Sequence, residues 1–195
     1  EPLPNSKDFY QHYINHFTYE NIYWLSWDNA GSGKRMANKA SPASSELNIA
    51  PDFWGLYFDE DEIYNFLQSG INWFGRLMAG TNEQSYSLYL PHASEQEKNV
   101  YFRFRCLGLT STGHRFTIFL NNQLLTSFSF SGNRLETREA QQTISLAAGG
   151  YNSLKIRYNG DSDESQAYID WFEVQYRKKF VAENDLLFFN QPADG

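Results

Sequence analysis

A thiol and an imidazole on either side of one turn, Cys106 and His114, are the first groups in this chain that resemble a catalytic pair. Cysteine–histidine catalysis needs a thiolate beside an imidazole. Cys106, however, continues the alternation of Val100, Phe102 and Phe104, so it points into a core and reads as structural. It is the chain's one cysteine, which excludes an intrachain disulfide and a cysteine metal cluster. His12 and His16 are spaced so that two imidazoles share a helix face as metal ligands. No third ligand accompanies them, and exposed histidines are the simpler reading. His92 follows Pro91 at a strand end and reads as a loop residue. A glycosidase needs two opposed carboxylates about 5 to 10 Å apart. The strand carboxylates to consider are Asp170 and Glu173, and on a regular strand they point to opposite faces. The loop over 160–165, Gly-Asp-Ser-Asp-Glu-Ser, is rich in oxygen ligands but lacks the EF-hand pattern. A solvated turn is expected there, with a structural calcium site as the alternative. No catalytic residue, cofactor or metal is assigned.

Two further groups of side chains bear on binding. Trp24, Trp27, Trp54, Trp73 and Trp171 each read first as core residues of strands, but Trp54 and Trp73 lie beside Gly-bearing irregular stretches. They are the candidates for stacking on a sugar ring or a peptide side chain. Asp170 stands inside a strand that is otherwise aromatic and aliphatic. A buried carboxylate must be paired or hydrogen-bonded. Arg103, Arg105 or Arg157 across neighbouring strands would serve, as would backbone amides at a bulge. Asp170 is therefore expected to be a buried or half-buried structural residue with a partner.

The element that must position Asp170 runs over 166–177. Tyr168, Phe172, Val174 and Tyr176 recur at period two on one face, with Ile169 and Trp171 on the other. The preceding residues supply its neighbours. Alternation predicts strands over 85–90, 99–109, 115–120, 123–130, 140–146 and 153–158, separated by turn clusters such as Ser111-Thr112-Gly113 and Asn121-Asn122. Upstream, strands are expected over 21–27 and 53–58, and short helices over 8–17 and 59–69. The second helix would be capped by Asp59 or Asp61, striped by Ile63, Phe66 and Leu67, and ended by Gly70. Residues 78–83 read as a linker. The organisation expected is an N-terminal strand and loop subdomain over 1–69, a sandwich over 70–190, and a tail or linker over 191–195. The fold class is mainly β, a two-sheet antiparallel β-sandwich of jelly-roll type.

Bulk properties narrow the partners. Hydrophobic residues make up 41% of 195, enough for a packed core. The net charge of -7 argues against nucleic acid, which requires a basic stripe. No segment approaches the roughly 18 apolar residues of a membrane-spanning helix. No signal peptide is visible, and the Glu-Pro-Leu-Pro start reads as the cut edge of a longer chain.

In chain order, Tyr23-Trp-Leu-Ser-Trp27, Gly33-Lys-Arg-Met36, Gly70-Ile-Asn-Trp-Phe-Gly75, Ala167-Tyr-Ile-Asp-Trp-Phe-Glu-Val-Gln-Tyr-Arg177 and Leu186-Leu-Phe-Phe189 form a recurring arrangement. It resembles the non-catalytic region that precedes the peptidase domain in gingipain-like cysteine peptidases of the C25 family, nearest their type IX secretion sortase branch. The resemblance implies an accessory domain outside the cytoplasm, in the periplasm, at the cell surface or secreted. Its partner would be an adjacent peptidase domain or that domain's protein substrate. The family's catalytic Cys and His belong to a later α/β domain that nothing in this chain matches. The jelly-roll texture also resembles galactose-binding-like domains, which makes a carbohydrate-binding module, with a glycan as partner, the second reading.

Overall fold

The computed structural model describes residues 50–65, 72–187 and 189. The expectations for 8–17 and 21–27, with His12, His16, Trp24 and Trp27, lie outside the described residues, as does the tail over 191–195. Nine strands are present: β1 (Asp52–Glu60), β2 (Leu77–Ala79), β3 (Thr81–Tyr89), β4 (Asn99–Gly108), β5 (Gly113–Leu120), β6 (Gln123–Ser131), β7 (Leu135–Thr143), β8 (Tyr151–Gly160) and β9 (Gln166–Lys179). They build two antiparallel sheets. One has the order β1-β9-β4-β7, with β2 also paired to β9, and the other has the order β3-β8-β5-β6.

Period-two patterning places the core between the sheets. Val100, Phe102, Phe104 and Cys106 from β4 meet Phe116, Ile118 and Leu120 from β5, Leu154, Ile156 and Tyr158 from β8, and Phe172, Val174 and Tyr176 from β9. Arg103 and Arg105 point outward, as their alternation requires. Phe172 is the hub of the aromatic packing. Its ring lies 4.9 Å from Tyr86, 6.3 Å from Tyr57 and 6.4 Å from Phe102, centroid to centroid.

Several expectations are corrected. Residues 59–69 do not begin as a helix. Asp59 and Glu60 finish β1, in register with Phe172 and Trp171, and Tyr64 bridges to Phe74. The acidic first turn mimics a helix start, but the open edge of β9 takes the segment into a ladder instead. Ile63, meant for a buried stripe, is 51% exposed, and residues 66–71 lie outside the described residues. No helix occurs among the described residues. The boundary at residue 70 leaves β1 outside the sandwich, whereas β1 pairs with β9 along its whole length. The linker over 78–83 is β2 and the start of β3, joined through Gly80 at φ +56°, a conformation that glycine adopts without steric cost. The strand over 140–146 lies earlier, as β7. Its sequence is polar because it is an edge strand with little to bury, so it carries no apolar alternation to read.

The most informative correction concerns β9. Arg105 pairs with Trp171 but Cys106 pairs with Ile169, so Asp170 is an extra residue, a bulge. Side-chain direction flips across it. Ala167 and Ile169 join Phe172, Val174 and Tyr176 in the core. Tyr168 turns to the opposite face, where it stacks on Phe74 and Tyr64 at 5.8 and 5.4 Å.

Ending β1 at Glu60 puts the Asp59 carboxyl near the packed interior, where it accepts a 3.4 Å hydrogen bond from the Tyr57 hydroxyl. Burial, reinforced by the negative charge of Asp61, holds its pKa above the usual carboxylate value. Native Asp59 therefore keeps its proton more readily than the unfolded chain does, so stability falls as pH rises through the native pKa. Asp59→Asn is expected to raise Tm at about pH 7, and the gain should vanish as pH approaches about 4. Melts of both proteins across that range test this, and an Asn variant less stable at neutral pH would contradict it.

Candidate functional surface on the larger sheet

Alternation sends a second set of residues to the outer face of the five-stranded sheet. Register aligns Trp54 with Arg177, Leu56 with Gln175 and Phe58 with Glu173. Across β9's other edge, Tyr101 meets Gln175, Arg103 meets Glu173 and Arg105 meets Trp171. The face is thus built of aromatic rings, guanidinium groups and carboxylates.

Two clusters organise it. At one end, the Arg177 guanidinium carbon lies 5.0 Å from the centre of the Trp54 ring, and Tyr101 meets the indole edge-on at 4.9 Å and 72°. Arg177 Nε donates to Asp52 Oδ1 at 2.8 Å, and its Nη2 donates to the same carboxylate and to the Asp52 carbonyl. Asp52 is buried. The cation is therefore held over the ring by a charge-assisted pair, a geometry worth about 1 kcal/mol for the cation–π contact alone. Farther along, Arg103 lies 3.3 Å from Glu139, 3.8 Å from Glu173 and 5.2 Å from the Trp171 ring. Glu173 is fully buried. At the bulge, Arg105 Nε lies 3.1 Å from Asp170 Oδ2, and Asp170 is 6% exposed.

The two tryptophans singled out for stacking are both half-buried and stand apart. Trp54 aligns with Arg177. Trp73 precedes Phe74, which packs on Tyr168. Nine residues of strand separate Arg177 from Tyr168, roughly 30 Å. Arg177 lies over the Trp54 ring, and Tyr101 closes one of its edges.

Elsewhere the chemistry is structural. Cys106 is fully buried, and burial, with Glu136 and Asp170 nearby, pushes its thiol well above the usual value. His114 is buried and occupied on both nitrogens. Nε2 lies 3.2 Å from the Thr110 carbonyl, which can only accept, so Nε2 carries a proton, and Nδ1 lies 2.7 Å from the Tyr158 hydroxyl. Burial, with Cys106 and Asp161 nearby, raises that hydroxyl's pKa to about 12. His92 lies 3.2 Å from Glu183. In the loop over 160–165, Ser165 Oγ donates to Thr112 Oγ1 at 2.8 Å and lies 3.2 Å from Ser162 Oγ. A side chain at Gly113 would collide with the Asp161 carboxylate. Among the described residues, no three His, Cys, Asp or Glu side chains converge as metal ligands.

Two features escape sequence reasoning. One is the Trp54–Arg177–Tyr101 cluster, because its members come from three strands. The other is a tyrosine pair on the smaller sheet. Tyr89 and Tyr151 are 49% and 70% exposed, with ring centroids 5.0 Å apart.

No protein-family model and no curated protein matches this chain. Solved structures match it in fold. The dimeric latent PorU of Porphyromonas gingivalis superposes with a TM-score of 0.60 at 15% identity, over 73% of this chain and 14% of that protein. The CBM36-1 domain of a multidomain xylanase from the hindgut metagenome of Trinervitermes trinervoides gives a TM-score of 0.41 at 17% identity, over 62% of this chain and 86% of that domain. A family 35 carbohydrate-binding module from an environmental isolate gives 0.41 at 14%, over 72% and 96%. At 15% identity the likeness to PorU is one of fold alone.

The Arg105–Asp170 pair offers a direct check of the bulge. Removing Arg105 strips a buried carboxylate of a cation. Arg105→Leu is expected to cost about 2 kcal/mol, below the 3–5 typical of a fully buried pair because Arg105 is partly solvated. Adding Asp170→Asn should recover about half of the loss. Urea denaturation of the single and double variants measures both, and a harmless Arg105→Leu would contradict this assignment.

Proposed function

We propose that this chain is a non-catalytic accessory β-sandwich of an exported C25-type cysteine peptidase of the type IX secretion sortase kind. It would position the peptidase domain, or that domain's protein substrate, through the outer face of the five-stranded sheet. The observation that carries this reading is the composition of that face. Trp54, Tyr101 and Trp171 are interleaved with Arg103 and Arg177. Trp, Tyr and Arg are the residues enriched at the energetic centres of protein interfaces. The ordered motifs from Tyr23 to Phe189 support the same reading, as does the fold likeness to a small portion of PorU. On this reading the reactive Cys and His lie in another domain. Cys106 is sealed in the core here, and His114 is committed to Tyr158 and Thr110. Placement outside the cytoplasm follows from the same reading.

Two measurements test it. The reading frame continuing past Gly195 is expected to encode an α/β domain with a Cys–His dyad, and a frame lacking one would remove the basis of the proposal. This chain should also bind that domain when the two are produced separately. Trp54→Ala or Arg177→Ala should weaken the association roughly tenfold or more in calorimetry, and unchanged affinity in both variants would rule out this face as the contact.

A further inference from the structure

We infer that the outer face of the four-stranded sheet binds an acidic glycan, a polysaccharide carrying carboxylate or sulfate groups. This surface is separate from the face that the proposed function uses. Cross-strand register lays it out in rows. Tyr89 stands opposite Tyr151, Ser87 opposite Ser153, Lys155 between Ser85 and Phe119, and Arg157 between Glu83 and Thr117. The tyrosines sit at one end, and Arg157 is six residues further along β8, about 20 Å away. That length accommodates several sugar units. The loop after β8 turns back so that the Asp161 carboxylate lies against Gly113 at that end of the surface.

Charge and chemistry select the occupant. The side chains on these rows bring the cations Arg115, Lys155 and Arg157 and the carboxylate of Glu83, and the Asp161 carboxylate lies against Gly113 at the end of β5. Glu83 is held by both Arg157, at 3.0 and 3.2 Å, and Lys155, at 3.4 Å. Arg115 is exposed, and its Nε donates weakly to Ser129 at 3.4 Å. The surface thus carries three cations against the two carboxylates of Glu83 and Asp161, on a chain of net charge -7, a small local excess of positive charge that favours an anionic ligand. Guanidinium groups match carboxylate and sulfate oxygens in geometry. The exposed rings of Tyr89 and Tyr151 pair apolar faces with hydroxyl edges, which suits a sugar ring that is apolar on one side and hydroxylated around its rim. Hydroxyls such as Thr117, 3.2 Å from Ser127, both donate and accept.

Other partner classes fit less well. Ser, Lys and Glu are depleted at protein interfaces, yet they are prominent here. β8 and β5 are interior strands whose backbone groups are spent within the sheet, so no peptide strand can add to them. Three cations on a chain of pI 5.1 do not form a phosphate-tracking stripe.

Affinity electrophoresis of the full chain through gels containing polygalacturonate, chondroitin sulfate or neutral xylan provides the test. Retardation by at least one polyanion and not by xylan is expected, and it should fade as salt is raised. Retardation by polygalacturonate alone assigns a carboxylate ligand, and retardation by chondroitin sulfate alone assigns a sulfated one. Tyr151→Ala and Arg157→Gln, both at exposed positions, should each weaken binding roughly tenfold, with melts confirming that the variants are folded. Trp54→Ala should leave binding unchanged, which separates this surface from the face on the larger sheet. Absence of retardation by both polyanions, equal retardation by xylan, or indifference to both Tyr151→Ala and Arg157→Gln would overturn the inference.

Discussion

Strand β9 is hydrogen-bonded along both edges, to β1 and β2 on one side and to β4 on the other. It is the longest of the described strands, and the larger sheet exists because β9 offers two complete ladders. Its inner face delivers Phe172, Val174 and Tyr176 to the core, and Phe172 links rings from β1, β3 and β4. One extra residue, Asp170, lets β9 serve two cores. Ahead of the bulge, Tyr168 closes a small cluster with Phe74 and Leu107. Behind it, the same strand fills the main core. A carboxylate is a costly residue to place at such a pivot, and Arg105 offsets that cost from the neighbouring strand.

The two outer faces then diverge in chemistry, although both obey the same alternation. The larger sheet turns outward a set of rings and guanidinium groups, with the carboxylates of Glu173 and Asp52 buried among them as partners of Arg103 and Arg177. Such a surface is expensive to keep desolvated unless packing compensates, which suits a protein neighbour. The smaller sheet turns outward hydroxyls, cations and an open tyrosine pair, a wet surface matched to a hydrated ligand. The Cys106 thiol and the His114 imidazole, the pair that the sequence brings near each other, are each committed to the core.

Much of this architecture was legible in the chain. The inward sets of β4 and β5 follow directly from period two, and so do the turns at Ser111–Gly113 and Asn121–Asn122. Legibility failed where local pattern and tertiary demand disagreed. Asp59 to Glu62 has the composition of a helix start, but an unpaired β9 edge outweighed a weak local propensity. β7 is mostly polar, as suits an edge strand that buries little, so it left no apolar alternation to detect. The face assignment of Tyr168 failed because one inserted residue reverses every side chain before it, and a bulge has no reliable sequence mark.

The sequence by itself therefore determined which residues face inward along each regular strand, since alternation is a local property of extended backbone. It also raised the question of Asp170 by placing a carboxylate among aromatic side chains. Only the tertiary structure decided which outward residues meet. Trp54 finds Arg177, Arg105 finds Asp170 and Tyr89 finds Tyr151 through ladders that join strands tens of residues apart. Cross-strand register is set by the collective fit of the core and by the bulge, and no single segment carries that information.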